Sequence, residues 1–252
     1  MIILKTKREI EKIASSGRIT ARVIEEIGKR LKEGISTEEL DIIAEKIIIE
    51  SGAIPSFKGY RGFPKTITVS INEEVVHGIP SPERIIKKGS IVGIDVGVLL
   101  DGFHSDAAYT FIVGDVPQEH KKLVDVTREA LGKAIEKCVI GARLSDIGNA
   151  VQEHVESHGY SPVRDLVGHG IGRNMHEDPQ IPNFGAPGLG QVMEEGMVFA
   201  IEPMINLGGY EIDILKDGWT VVTKDRSMSA HFEHTVAVTK EGPRILTGRS
   251  YG

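Results

Sequence analysis

The stretch Gly89-Ser-Ile-Val-Gly-Ile-Asp95 returns 107 positions later as Gly196-Met-Val-Phe-Ala-Ile-Glu202. Each copy reads as an apolar strand interrupted by one acid, and the punctuation around it moves by the same offset. Gly34, Gly52, Gly78 and Gly102 reappear as Gly141, Gly159, Gly185 and Gly209, and Pro55 and Pro80 as Pro162 and Pro187. With 29 glycines in 252 residues, chance gives only about two glycine matches at one offset, so the chain reads as two copies of one unit. A carboxylate is rarely buried unless it is paired or bound to a metal. One acid in mid-strand of each copy therefore points to a site where the copies meet.

No Pro/Ser-rich linker separates the copies, which favours one domain of two related halves, about 1–114 and 115–252, with enough chain to bury a substantial core. The net charge of -6 speaks against a nucleic-acid footprint, and the short basic clusters Lys29-Arg30-Lys32 and Lys87-Lys88 read as solvated faces. Cys138 is the single cysteine, which excludes an internal disulfide and suits a reducing compartment. The apolar run at Met1–Leu4 is too short for a signal peptide, and strand 91–100 is too short to span a bilayer. A cytoplasmic protein is expected.

Apolar residues at Ile10, Ile13, Ile24, Ile27 and Leu31 follow helical spacing, and Gly34 ends that helix. Ser36 with Glu39 is a capping-box pattern for a second helix, ended by Gly52. The second copy repeats the plan, with Pro117 opening a helix to about Cys138 and another running from near Ser145 to Gly159. Strands are expected at Thr66–Ile71, at Ser90–Leu100 and at Phe103–Val113, the last two joined by the hairpin signal Asp101-Gly102. A two-residue turn there sets Gly97 against Asp106 and Asp95 against Ala108, so Asp95 and Asp106 share one face as diagonal neighbours. The second copy offers strand Met197–Ile205 and, after about twenty extra residues around Trp219, strand His231–Val238. That strand holds Glu233, the counterpart of Asp106.

Four acids in equivalent positions would raise one another's pKa and destabilise the fold unless cations neutralise them. Two divalent ions balance four carboxylates. An oxygen-rich site with one or two imidazoles suits Mn, Fe, Co or Zn, and no cysteine lies nearby. His169 sits in Gly168-His169-Gly-Ile-Gly172, His176 in Arg173-Asn-Met-His176-Glu-Asp-Pro179, and His77 before Gly78-Ile79-Pro80, all in segments that read as loops or strand ends. His120, His154 and His158 fall on helices and read as structural; His104, His231 and His234 are unassigned.

Ser70-Ile-Asn-Glu-Glu-Val-Val-His77-Gly-Ile-Pro80, Gly168-His169-Gly-Ile-Gly172, His176-Glu-Asp-Pro179, Ile201-Glu202-Pro203 and Phe232-Glu233-His234-Thr235 together resemble the type I methionine aminopeptidases, over nearly the whole chain. The resemblance implies an α/β (α+β) pita-bread fold, a single catalytic domain over 1–252 with helices outside a curved antiparallel sheet. It implies Asp95, Asp106, His169, Glu202 and Glu233 as ligands of two divalent ions (Co, Mn, Fe or Zn), with Asp106 and Glu233 bridging. It further implies His77, Glu202 and His176 as catalytic groups, His77 and His176 also contacting substrate, and a methionine slot walled by Phe57, Tyr60, Phe63, Met175 and Trp219. Two positions depart from the family pattern: His231 stands where glutamine is expected, and Met175 where an aromatic is common.

On this resemblance the ions acidify a shared water, the substrate's free amine binds a metal, Glu202 carries the proton, and a small second residue is preferred. The expected partner is a peptide or nascent-chain amino terminus, with the ribosome surface as a further candidate and a monomer as the working form. No membrane and no direct nucleic-acid specificity are expected. The rival readings are a proline-directed aminopeptidase of the same fold, against which the lack of an extra amino-terminal domain counts, a metal-free binding protein, and a metal-free hydrolase using paired carboxylates. The last leaves four acids and His169 unexplained.

Overall fold

The helical spacing of the first copy becomes α1 (Lys7–Arg30) and α2 (Thr37–Glu50) in the computed structural model, which describes residues 2–248. Both helices start on a complete capping box, Thr6 with Glu9 and Ser36 with Glu39, so two orphan N–H groups are satisfied at each entry. Strands β1 (Ile54–Pro55), β2 (Thr68–Ile71), β3 (Glu74–Val76), β4 (Ser90–Leu100) and β5 (Phe103–Val113) complete this half. The second half repeats it with α3 (Gln118–Glu136), α4 (Ser145–Ser157), β6 (Ser161–Pro162), β7 (Gly168–Gly170), β8 (Glu177–Ile181), β9 (Val198–Ile201) and β10 (Met204–Asn206). It continues through β11 (Ile212–Ile214), β12 (Val221–Thr223), β13 (Ser229–His231), β14 (His234–Thr239) and β15 (Gly242–Ile245). Every strand pairing among the described residues is antiparallel. Met1 and residues 249–252 of the expected 1–252 unit lie outside the described residues.

The repeat is exact in register at the sheet edge. Ile54 pairs Leu99 and Pro55 pairs Val98 in the first half; Ser161 pairs Asn206 and Pro162 pairs Ile205 in the second, each partner displaced by 107 positions. Two apolar cores sit between sheets and helices. Val23, Ile27, Leu40 and Ile48 pack against Ile67, Ile94 and Val96 in one; Leu123, Leu131, Val151 and Val155 pack against Phe199, Ile201 and Phe232 in the other. The helices thus cover the outer sheet faces and leave the acids on the inner one.

The halves are joined by a seam of main chain. Glu233 N–H donates to Ala108 O at 2.9 Å, and Ala108 N–H to Glu233 O at 3.4 Å. The Thr235 hydroxyl accepts from Asp106 N–H at 2.9 Å and donates to Asp106 O at 2.8 Å. The Thr110 hydroxyl makes the matching pair of bonds with His231, accepting at 3.0 Å and donating at 2.8 Å. Asp106 and Glu233 therefore stand side by side across the line where one half becomes the other.

The hairpin behaves as its turn signal predicts: Asp101 and Gly102 take positive φ of 51° and 78°, Asp95 pairs Ala108 and Gly97 pairs Asp106. The second copy does not keep its two long strands. Strand Met197–Ile205 is cut into β9 and β10 at Glu202-Pro203, and strand His231–Val238 into β13 and β14 at Phe232-Glu233. Pro203 has no N–H to give to a ladder, and Glu233 spends its backbone on Ala108 instead. The flanking pairs Ile201–His234 and Met204–His231 leave Glu202 directly across from Glu233 in that gap.

Candidate active site

A cavity of about 200 Å³ opens onto the seam, and the acids, three histidines and the five apolar positions singled out above all line it. β4 and β5 present Asp95 and Asp106 as diagonal neighbours on one face, where their carboxyls perturb each other. Ligating atoms of Asp106, His169 and Glu233 lie within 4.8 Å of one another, all three residues buried. Glu202 approaches His169 Nε2 to 3.6 Å and completes the ring of acids.

Burial drives all four carboxyls upward. Asp95 is pushed up to about 7, and Asp106, Glu202 and Glu233 stand well above the ordinary carboxylate range, with the neighbouring acids adding to the effect of burial. Asp95 Oδ1, Asp106 Oδ1 and Glu233 Oε1 are buried without a hydrogen-bond partner. His169 supplies the complementary clue. Its Nδ1 contacts Gly170 O at 2.9 Å, and since a carbonyl can only accept, Nδ1 carries the proton and Nε2 faces the acids as a bare lone pair. Orphaned carboxylate oxygens facing an unprotonated imidazole nitrogen fit divalent metal ions. His169 lies within strand β7, paired with Ala200, rather than in a loop.

His176 stands at the cavity mouth, just before β8. Its ring packs 4.2 Å from that of His169 and 5.2 Å from that of Tyr60, and its Nδ1 lies 2.8 Å from the Tyr60 hydroxyl. Loss of hydration first, then repulsion from His169 and Arg61, drives its pKa down and keeps the ring neutral at pH 7. His77 follows β3 at φ 61°, its ring 6.4 Å from Trp219, and burial lowers its pKa too.

Phe57, Phe63 and Met175 form a small buried cluster on which Tyr60, Ile79 and Trp219 pack, Phe63 and Trp219 edge to face at 5.2 Å. Trp219 arrives on the extra residues of the second copy. These fold as the β11–β12 hairpin, which adds to β3 of the first half. Asp217 fixes the tip by accepting from the N–H groups of Trp219 and Thr220. Met175 fills the space at the departure from the family pattern. His231, the other departure, is buried with Nε2 unpartnered, 3.9 Å from Glu202.

Sequence reasoning missed Val76, Leu166, Val167 and Met204, which also line the cavity. Met204 was within reach, because two residues beyond Glu202 is the same strand face. The Tyr60–His176 hydrogen bond joins residues 116 positions apart and left no local trace. His120, His154 and His158 do not reach the cavity; His104 meets Ser56 Oγ at 2.8 Å and His234 meets Thr247 Oγ1 at 3.0 Å.

Comparison with known proteins agrees with this geometry. Residues 11–240 match the description "Metallopeptidase family M24". The chain is 51% identical to a methionine aminopeptidase of Clostridium acetobutylicum and 52% identical to methionine aminopeptidase 1 of Bacillus subtilis, each over 98% of this chain and 99% of the relative. The crystal structure of a methionine aminopeptidase from Thermotoga maritima superposes with a TM-score of 0.97 at 46% identity, covering 99% of this chain and 100% of that one.

Proposed function

The chain belongs to metallopeptidase family M24 and, within it, to the methionine aminopeptidases, and from that premise we propose that its cavity removes the amino-terminal methionine of peptides and nascent proteins, preferring a small second residue. The observation that carries this reading is the junction, in one cavity, of partnerless buried carboxylate oxygens with an apolar slot.

Asp95, Asp106, His169, Glu202 and Glu233 would hold two divalent ions of the Mn, Fe, Co or Zn class. Bound there, the ions supply Lewis acidity for peptide hydrolysis and an anchor for the free amine. Glu202 takes up the proton of the attacking water and returns it to the leaving amine, since it is an acid that reaches both His169 and the cavity. The role proposed for His176 needs the tautomer in which Nδ1 accepts from the Tyr60 hydroxyl 2.8 Å away and Nε2–H donates to the scissile carbonyl oxygen as charge develops. His77 faces the same segment of the substrate from the turn after β3. Phe57, Tyr60, Phe63, Met175 and Trp219 receive the methionine side chain, whose unbranched thioether can follow their uneven walls. No helix among the described residues is long and apolar enough to cross a membrane. A cytoplasmic enzyme working as a monomer on emerging chains is the setting this chemistry suits.

The test is a peptide panel with the metal-reconstituted enzyme. Free methionine should be released from Met-Ala and Met-Gly peptides, little amino acid from Leu-Ala peptides, and none where the amine is blocked. Comparable rates on Met-Ala, Leu-Ala and Xaa-Pro peptides would defeat the methionine assignment and leave a metallopeptidase of other specificity.

A further inference from the structure

Lys5 is a buried lysine outside the cavity, in the extended segment before α1. Its Nζ lies 2.5 Å from Glu177 Oε2 and 2.8 Å from Ile3 O, and both side chains of the ion pair are only 4% exposed. A lysine is almost never buried without a task of this kind. Its backbone is pinned as well, with Lys5 N–H donating to Gly196 O at 2.7 Å. Gly196 has φ of 94°, and a Cβ there would come within 2.6 Å of Lys5 O.

The partner carboxylate closes a turn. Glu177 Oε1 accepts from Asn174 N–H at 3.1 Å, and the two residues enclosed are Met175 and His176. Gly172, at the base of the turn, is packed so tightly that a Cβ would meet Lys5 Cε at 2.5 Å and Glu177 Oε1 at 2.8 Å. One carboxylate therefore holds the turn with one oxygen and Lys5 with the other. A second link from α1 to the same loop, Arg173 to Glu9 at 3.0 Å, is largely solvent-exposed on the arginine side and contributes little.

We propose that Lys5 is a positioning residue of the active site: through its buried pair with Glu177 it fixes the turn that aims His176 at the substrate and sets Met175 in the slot. The proposal rests on the reading of His176 as the group facing the scissile carbonyl. Misplacing such a group by about 1 Å costs roughly a hundredfold. Lys5→Met should therefore lower kcat roughly tenfold to a hundredfold while metal content stays at the wild-type level.

Because Lys5→Met leaves Glu177 buried and unpaired, the double variant Lys5→Met with Glu177→Gln removes both charges and guards against loss of fold. Both proteins are compared, metal-free and without substrate, by 15N NMR of histidine-labelled samples, the His176 ring signals being identified by their loss in His176→Asn. The expected result is displaced His176 ring resonances in both variants, with turnover still depressed in the double variant although its melting temperature recovers. Arg173→Ala should leave resonances and turnover within about twofold of wild type. Unchanged His176 resonances, full turnover in the double variant, or an equal effect of Arg173→Ala would each overturn the proposal. The resonances report on Lys5 with no reaction taking place, so a failure of His176 as a catalytic group appears separately, as full activity in His176→Ala.

Discussion

Asp95 and Asp106 stand diagonally on an unbroken ladder of two eleven-residue strands, whereas Glu202 and Glu233 face each other across a gap between four short ones. The regular half supplies a rigid pair of acids. The broken half frees the backbone of Glu233 to bond Ala108, and the seam depends on that break. The histidines divide unequally too: His169 and His176 come from the second half, and His77 from the first. Walls of the slot are likewise split, with Phe57, Tyr60 and Phe63 on one side and Met175 and the Trp219 hairpin on the other. Near-symmetry gathers the acids, and departures from it shape most of the rest of the cavity.

The comparison breaks most sharply at the seam. Asp106→Asn and Glu233→Gln should cost metal affinity equally, and by more than the roughly 10–100-fold lost when an outer partner of a metal ligand is removed. Elemental analysis and calorimetric titration of reconstituted protein check this, and a large loss in one variant alone would show that the halves do not share the ions evenly.

His176→Ala should lower turnover about 10²–10³-fold with metal content intact, the scale of losing one donor to a developing oxyanion. Loss of metal in this variant would move His176 into the ligand set and shift the division of labour between the halves.

Next in size is specificity. Trp219→Ala removes the second half's wall and Gly97→Ala crowds the first half's, since a Cβ at Gly97 would come within 2.5 Å of Phe57 Cε1. Discrimination between methionine and leucine at the amino terminus should fall in the first case, within the roughly 10–200-fold that side-chain fit can supply. In the second, kcat/KM for methionine itself should drop. If only one of the two moves specificity, the slot belongs to that half alone.

The smallest effect is on stability of the metal-free protein. Its four buried carboxyls have pKa values raised above those of the unfolded chain, Asp95 to about 7. The folded state then binds more protons, so stability is fully present below about pH 4 and is lost as pH rises through the folded values. The buried histidines, whose pKa values are lowered from 6.5, act in the opposite sense at acid pH. Tm of metal-free protein should therefore fall by several degrees as pH rises above about 7, since about 1 kcal/mol moves Tm by roughly 2–4 °C at this chain length. Added divalent ions should reverse the trend, and calorimetry at fixed pH reads both.

What the chain reveals unaided is mostly what is local. Asp101-Gly102 set the hairpin register, Ser36 with Glu39 set a helix start, and both could be read because the interacting groups lie within a few positions. The break at Glu233 could not be read from strand pattern, since His231–Val238 contains no Pro or Gly to mark it; only Pro203, on the opposing strand, hinted at it. Tyr60 beside His176 and Lys5 beside Glu177 are meetings of distant segments, and no periodicity encodes such contacts. The four acids were legible from the repeat and the hairpin register, their role as ligands together with His169 came from resemblance, and the geometry adds the proton position on His169 that aims its free nitrogen.

The seam also has a bearing on how the molecule comes to exist. Asp106 and Thr235 lie 129 positions apart, and their bonds form only after that long loop of chain has closed. Closing it costs more entropy than joining neighbouring helices, so the helical pairs and the β4–β5 hairpin can gather well before the seam does. Until then Asp95 and Asp106 are an incomplete pair with nothing opposite them. Ions that bind the finished ring of acids would favour the folded chain by mass action, which would tie metal supply during synthesis to the protein's maturation.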